Sequence, residues 1–268
     1  GVLLVAAAAP LAGAELGVLG RVVAPAVATG MTAATGVLLV WDLKRPERFL
    51  YIFLKPNPTS WLFWGSVALA SFAAVAGGWL VVGAAGAAGF VGPGLVAGTL
   101  SVLQPLAVPT GVLAAGYTAF LFGQAEGRDL WQSPTLFWHL LAQASMAGSG
   151  ALLTAAGVLG ADQRAGRFLA RTFIGSCAAN LALLALEYGG RHPTRHAAAA
   201  AHLVTHGRYR KLFRRGAVGL TAAAAALAAP AIGGNRLKAA AVAGLVGQAA
   251  LLAYESVFVR AGQDVPLS

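Results

Sequence analysis

Long apolar runs, separated by short polar connections, recur along the whole chain and limit its fold more than any other feature. A helix needs about twenty mostly apolar residues to cross the hydrocarbon core of a bilayer, and several runs approach that length. The runs are apolar on every face, whereas the strands of a transmembrane β-barrel alternate polar and apolar residues. The sequence therefore predicts an all-α integral membrane protein.

Composition supports this class. Hydrophobic residues make up 58% of the 268 residues and charged residues 10%, whereas a soluble domain has about a quarter charged residues. The net charge of +10 could suggest a nucleic-acid partner. The basic residues, however, lie in short loops between the runs, where membrane topology and anionic headgroups account for them. We expect membrane lipids as partners, and no nucleic acid.

About eight transmembrane helices are predicted, in a single polytopic domain over residues 1–268 that is arranged as two four-helix bundles. The first apolar run has neither a Met nor a charged flank before it, so we expect a truncated first helix and a chain that begins before Gly1. Frequent Gly and Ala inside the runs favour close helix–helix contact. The predicted spans cover about residues 1–19, 21–41, 61–82, 95–123, 135–159, 167–188, 216–232 and 237–259.

The distribution of basic residues predicts an orientation. With eight spans, both termini and the loops near 42–60, 124–134 and 189–215 lie on one side, which we call side A; the opposite side is side B. Thirteen of the 19 Lys and Arg residues lie on side A. Because Lys and Arg are enriched in cytoplasmic loops, we expect side A in the cytoplasm. Side B holds the other six: Arg21, Arg164, Arg167, Arg171, Arg236 and Lys238.

Polar side chains within the spans cluster toward side A. Such residues usually face the bundle interior or a cavity, so a polar pocket beneath the side-A surface would suit an amphipathic ligand such as a quinone. Each residue also has a structural explanation: helix-end carboxylates can pair with loop arginines, a tyrosine can anchor at the interface, and a histidine can simply pack. The residues are Asp42, Tyr117, His139, Gln143, Glu187 and Glu255.

Metal and haem ligands are scarce. A bis-His haem needs paired histidines at membrane depth, but only His139 lies in a span, and the single Cys177 excludes a cysteine-ligated cluster. His202 and His206 are four residues apart and could hold a metal if that stretch is helical, but no third ligand is evident. We favour a basic helix that binds headgroups there, and expect no metal, haem or iron–sulfur cluster in this chain.

One segment carries a family resemblance. "WDLKRPERFLYIFLKPNPTSW", residues 41–61, resembles the segment after the second helix in the polysulfide reductase membrane-subunit (NrfD-like) family, with Lys44 where that family usually has Gly. "AAGYTAFLFGQAEGRDLWQSP", residues 114–134, is similar to that family's Gly-Tyr-Thr helix end and following Trp-x-x-Pro. The ending "FVRAGQDVPLS", residues 258–268, resembles several family members.

This resemblance implies an eight-helix subunit of a respiratory oxidoreductase in a bacterial inner membrane. Such a subunit binds a quinone, menaquinone or ubiquinone, and is not catalytic alone. The implied partners are a ferredoxin-type iron–sulfur subunit and either a molybdopterin catalytic subunit or a multihaem cytochrome. The family's pattern also implies that Tyr117 contacts the quinone and that Asp42 takes part in quinone or proton chemistry.

The remaining roles follow from quinone chemistry. Reduction to quinol takes two electrons and two protons, so a site needs a hydrogen-bond donor and titratable groups. The predicted quinone-binding residues are Tyr117, Asp42, His139 and Gln143, and the predicted proton-transfer residues are Asp42, Glu187 and Glu255. The basic residues of the segment, Lys44, Arg45, Arg48 and Lys55, are predicted to dock the partner.

Other roles are left open. Arg45 and Arg48 could instead raise the electron affinity of the quinone or hold Asp42 ionised. The chain could also be a passive anchor for redox subunits or a proton-translocating module. A proton-translocating module needs polar groups in the middle of the spans. No acidic residue lies there, but four polar residues do: Gln104, Gln143, Asn180 and Gln248.

Overall fold

The computed structural model describes residues 1–233 and 236–267, and every regular element in this part of the chain is a helix. This confirms the predicted all-α class. The helices are α1 (Val2–Ala8), α2 (Ala24–Trp41), α3 (Tyr51–Leu54), α4 (Trp61–Ala87), α5 (Pro93–Gly123), α6 (Leu136–Leu159), α7 (Gln163–Gly189), α8 (Arg195–Thr205), α9 (Leu220–Ala228) and α10 (Leu237–Asp264).

Short helical turns join or extend several of these helices. A π-helical turn, Leu19–Val23, leads into α2, and a second one, Leu212–Gly219, leads into α9. Turns of 3-10 helix follow α1 at Pro10–Ala12, follow α9 at Ala229–Gly233, and lie in two of the loops at Pro46–Arg48 and Asp129–Gln132.

Among residues 1–233 and 236–267, six helical segments are long and apolar enough to cross a membrane, so the chain is a multi-pass membrane protein. They are Leu19–Trp41, Trp61–Ala87, Pro93–Gly123, Gln163–Gly189, Leu212–Gly233 and Leu237–Asp264. The predicted first span is a short apolar segment, Val2–Ala12. The predicted fifth span is the 24-residue helix α6, which carries His139 and Gln143 and is not among the six. The count of eight and the two-bundle arrangement stay predictions.

Helix α6 lies at the centre of the packing. It contacts α1 and α5 on one side and α7 and α10 on the other, while α4 packs against α5 and α2. Glycines permit these close approaches: a Cβ added at Gly148 would lie 2.4 Å from the Val2 nitrogen, and one at Gly244 would lie 2.2 Å from the Gly150 oxygen. The close helix contact predicted from the Gly and Ala content is therefore present. Cys177 lies fully buried within this packing, on α7.

The loop between α5 and α6 is fastened to the end of α10. Arg128 Nη1 donates to the carbonyl oxygens of Gly262, Gln263 and Val265, at 3.0, 3.0 and 2.9 Å. The Trp131 ring lies against Gly262, where a Cβ would come within 2.1 Å of Nε1. Because the last carbonyls of a helix have no partner inside the helix, these bonds satisfy groups that would otherwise need water.

The connection between α8 and the π-helical turn Leu212–Gly219 also reaches the C-terminal end of α10. The Tyr209 hydroxyl donates to Asp264 Oδ2 at 2.5 Å, and Arg208 Nη1 lies 3.2 Å from the same oxygen. Burial and the hydrogen bond to the carboxylate raise the pKa of the Tyr209 phenol above its ordinary value. The side-A loops therefore hold the C-terminal end of α10 from two directions.

Residues 41–61 form an exposed connection between α2 and α4. Its end is a helix cap: Ser60 Oγ accepts from the Leu62 nitrogen at 3.3 Å, and Asn57 Oδ1 accepts from the Thr59 nitrogen at 3.1 Å. Trp64 Nε1 donates to the Pro58 carbonyl at 2.9 Å. The Asn-Pro-x-Ser stretch thus has a direct physical role, because it ends the loop and starts α4 at a fixed residue.

Candidate functional site

Helices α6, α7 and α10 bring together a buried group of polar side chains, which we call the polar cluster. Its centre is His139, which is fully buried. His139 Nδ1 lies 3.0 Å from Glu187 Oε2, and His139 Nε2 lies 3.0 Å from Asn180 Oδ1. Its members are His139 and Gln143 from α6, Asn180 and Glu187 from α7, and Tyr254 and Glu255 from α10.

Helical spacing explains why these side chains face one another. His139 and Gln143 are four residues apart, and Asn180 and Glu187 are seven apart, so each pair occupies one face of its helix. The Glu187 side chain is 4% exposed. Both ends of the imidazole are therefore held by α7, and the pair lies in a protein interior rather than in water.

The Tyr254 hydroxyl completes the centre of the cluster. It donates to Glu187 Oε2 at 3.1 Å and lies 3.4 Å from His139 Nδ1. The centroids of the Tyr254 and His139 rings are 4.8 Å apart. The other carboxylate oxygen, Glu187 Oε1, is buried without a hydrogen-bond partner among residues 1–233 and 236–267. Such an oxygen can accept a proton or a hydrogen bond from a group that enters the cluster.

The geometry leaves room for a proton between His139 and Glu187. The atoms Nδ1 and Oε2 are 3.0 Å apart, which is hydrogen-bond distance. Which of the two ring nitrogens carries a hydrogen depends on the tautomer of His139.

Gln143 and Glu255 extend the cluster by one helical turn. Gln143 is buried, and Glu255 lies beside it within electrostatic reach of His139 and Glu187. Two carboxyl groups and one imidazole thus share a site that is largely closed to water.

Tyr117 occupies a different place, on α5. Its ring lies against Gly65 of α4, where an added Cβ would be 2.3 Å from Tyr117 Cδ2. Three residues further along α5, Phe120 stacks on Trp61 at 4.3 Å and lies 5.6 Å from Phe137, at the start of α6. Tyr117 is half-buried, and its hydroxyl forms no hydrogen bond within the described part of the chain. It is therefore free to bind a ligand.

Asp42 lies at the end of α2 and is exposed. No ion pair joins it to Arg45 or Arg48 within the described residues. The four predicted docking residues, Lys44, Arg45, Arg48 and Lys55, are exposed as well.

The predicted site residues therefore fall into three places. His139, Gln143, Glu187 and Glu255 meet in the polar cluster, Tyr117 lies between α4 and α5, and Asp42 and the docking residues lie on the loop. Sequence reasoning missed Tyr254, although it directly precedes Glu255, and treated Asn180 only as a mid-span polar residue. The signal that could have found Asn180 is its seven-residue spacing from Glu187.

No group of three or more His, Cys, Asp or Glu residues suited to a metal ion occurs within residues 1–233 and 236–267. The rings of His202 and His206 stack 5.4 Å apart, and α8 ends between them, at Thr205.

Comparison with known proteins places the chain in a family. The family model described as polysulphide reductase, NrfD, matches residues 1–263. A comparison with curated proteins gives no match. The family match spans almost all of the chain and includes residues 41–61 and 114–134. The chain belongs to the NrfD polysulphide reductase family, and is thus a membrane subunit of a reductase complex that works with redox partner subunits.

Proposed function

We propose that this chain is the quinone-reactive subunit of its complex. A quinone or quinol binds near Tyr117, an iron–sulfur partner docks on side A, and the polar cluster takes up or releases the protons. The buried His139–Glu187 pair carries this proposal. Ionisable residues inside membrane helices cost free energy, and those that are retained there usually serve a substrate or proton pathway.

Tyr117 supplies the hydrogen-bond donor for the quinone. Its hydroxyl is unpaired in the described structure, and a phenol can donate to a carbonyl oxygen and later accept from a quinol hydroxyl. The neighbouring rings of Trp61, Phe120 and Phe137 offer apolar faces for the quinone ring. This arrangement suits a flat head group with two carbonyl oxygens better than a charged ligand.

The balance of the reaction assigns the protons. One quinone, two electrons and two protons give one quinol, and the reverse reaction releases the same particles. The electrons pass between the quinone and the iron–sulfur partner, because this chain is proposed to hold no redox metal. The His139–Glu187 pair and Glu255 hold and exchange protons inside the bundle, while Asp42 exchanges them with water at the surface.

The exposed loop supplies the docking surface. Lys44, Arg45, Arg48 and Lys55 present positive charge, and Leu50 and Leu54 expose apolar side chains beside them. An acidic surface on a ferredoxin-type subunit complements this combination. A molybdopterin subunit or a multihaem cytochrome would then bind to that partner rather than to this chain.

The test is quinol-linked turnover in membranes from cells that express the whole complex. Tyr117→Phe and Asp42→Asn should each lower turnover about tenfold or more, because each removes a group that contacts the quinone or its protons. Gly77→Ala is the control, since nothing lies within 4 Å of a Cβ there, and should keep full turnover. Full activity in both site variants would make the chain a passive anchor.

One observation favours a second candidate, a proton-translocating module. A cavity of about 740 Å³ lies between α1, the segment before α2, α4 and α5, and its lining includes Gln104, Glu15 and Trp79. The Trp79 indole nitrogen is buried without a partner in the described residues. Water in this cavity would satisfy that donor and reach mid-membrane.

This candidate has its own measurement. Gln104→Leu should leave quinol-linked turnover near wild type while it lowers the number of protons moved per electron in proteoliposomes. Ser101→Ala, a smaller change in the same cavity lining, is the control. An unchanged proton-to-electron ratio in Gln104→Leu would remove the translocation role.

A further inference from the structure

The first half of α7 carries three arginines on one face. Arg164, Arg167 and Arg171 follow one another at spacings of three and four residues, which places them in a line along the helix. Arg164 and Arg171 are exposed. Arg167 is half-buried, and its Nε has no hydrogen-bond partner within residues 1–233 and 236–267. We call these three residues the arginine patch.

No carboxylate in the described structure neutralises the patch. None of its three side chains forms an ion pair within the described residues. The nearest acid in sequence is Asp162, whose Oδ1 accepts from the Ala165 nitrogen at 2.8 Å and so caps α7. The only other acid expected on side B is Glu15, which lies on the lining of the cavity beside α1. The patch therefore keeps three positive charges.

The position of the arginine patch along α7 puts it at the level of the lipid headgroups. From Arg171 to Gly189, the last residue of α7, the helix rises about 27 Å, which is close to the hydrocarbon thickness of a bilayer, about 30 Å. Arg171 is thus at the edge of the hydrocarbon, and Arg164 is about 10 Å further out. Exposed guanidinium groups at this depth extend toward the headgroup region.

Below the patch, the same face offers room for acyl chains. Gly175, Ala178 and Ala182 continue the line beyond Arg171 and are exposed. The opposite face of α7 is buried, with Leu169 and Phe173 in the core. The exposed face thus has three cations at its outer end and a smooth apolar track along the rest.

We propose that the arginine patch binds the phosphate group of an anionic phospholipid whose acyl chains lie along Gly175, Ala178 and Ala182. Arginine suits this role because its planar guanidinium donates two parallel hydrogen bonds to phosphate oxygens. The site is independent of the proposed quinone chemistry, and it lies at the opposite end of the helices from the docking loop.

The test compares lipids and variants in nanodiscs. The complex is placed in phosphatidylglycerol or in phosphatidylcholine, and its thermal unfolding midpoint is measured. Wild type should be more stable in phosphatidylglycerol, and R164Q/R167Q/R171Q should lose most of that difference. The control R21Q/R236Q/K238Q removes the same charge from the same side of the membrane and should keep it. Inorganic phosphate in solution should have no effect, because it lacks the acyl chains.

A second measurement uses a photoreactive lipid. Phosphatidylglycerol with a photoreactive acyl chain should crosslink to residues 175–186 of wild type several-fold more than a phosphatidylcholine probe does. The effect should weaken as salt rises. R164K/R167K/R171K keeps the charge but loses the paired hydrogen bonds of the guanidinium, so its crosslinking should fall between that of wild type and that of R164Q/R167Q/R171Q.

Three results would overturn the proposal. They are equal crosslinking by the two lipids, equal lipid dependence in the patch variant and the control, and stabilisation by free phosphate alone. Crosslinks that join α7 to a partner subunit in the purified complex would also reject it, since a protein would then cover this face.

Discussion

At the scale of single residues, Gly65 and Tyr117 form a close contact near the proposed quinone end. The Tyr117 ring occupies the space that a side chain at residue 65 would fill. The position of the phenol therefore depends on a residue that has no side chain to take part in binding.

Gly65→Ala should displace the Tyr117 ring. Forcing a methyl group into this contact should cost about 1–3 kcal/mol of stability and lower quinol-linked turnover. Gly77→Ala is the matched control on the same helix, since nothing lies within 4 Å of a Cβ there, and it should be neutral or stabilising. Thermal unfolding and turnover measured on both variants check this. Equal behaviour of the two variants would show that the contact does not position Tyr117.

Tyr254→Phe tests the hydroxyl at the centre of the polar cluster. The change preserves the ring but removes the donor to Glu187, so the free energy of unfolding should fall by about 1–3 kcal/mol. The exposed Tyr51→Phe should change it by less than about 0.5 kcal/mol. If Tyr254→Phe unfolds at the wild-type midpoint, the bond between Tyr254 and Glu187 contributes nothing.

The sequence could predict the members of a helix face but not the partners across helices. His139 and Gln143 were paired by their spacing, and they do share one face of α6. Tyr254 was missed because its partners, His139 and Glu187, belong to other helices. The spacing of residues within α10 cannot predict a contact with another helix. Asp42 was expected beside the pocket, but the described structure gives it no polar side-chain partner.

At the scale of elements, Arg128 ties a loop to a helix end. Arg128→Gln cannot reach three carbonyls at once, so the last turn of α10 should exchange its amide hydrogens faster, by about tenfold. Hydrogen–deuterium exchange of peptides over residues 258–265 measures this. Arg195→Gln is the control, because Arg195 is exposed at the start of α8, and exchange there should stay at the wild-type rate. Wild-type exchange in Arg128→Gln would mean that the helix end is held by Tyr209 alone.

Helix boundaries show where hydropathy and helix formation differ. The sixth span was predicted from about residue 167, yet α7 begins at Gln163. Hydropathy falls at the arginines, whereas the helix continues through them to the Asp162 cap. Likewise α10 continues to Asp264 rather than 259, because Arg128 satisfies its last carbonyls. The π-helical turns before α2 and α9 depend on backbone hydrogen bonds that composition does not encode.

At the scale of the whole molecule, the distribution of Lys and Arg predicts orientation. A reporter fused after Ser268 should be active on the cytoplasmic side, and one inserted between Gly160 and Asp162 should report the opposite side. Those insertion points lie on sides A and B of the predicted topology. A periplasmic signal from the C-terminal fusion would reverse the orientation and place the docking loop outside the cell.

The family and the helical class were within reach of the sequence, because apolar runs and one dense charged segment carry both. The count of eight spans stays a prediction. Helix α6 carries the polar residues His139 and Gln143, which lower its mean hydropathy, although both are buried against α7 and α10. Helix α1 ends at Ala8, before the turn Pro10–Ala12, and the truncated first span stays a prediction.

The burial of Cys177 has a practical consequence for experiments. It is the chain's single cysteine, and its side chain is closed off inside the helix packing. Maleimide and spin-label reagents should therefore leave folded wild-type protein unmodified. A cysteine introduced at an exposed position would then be the one reactive thiol of this chain. Fluorophores or spin labels could be attached there without first replacing the native residue.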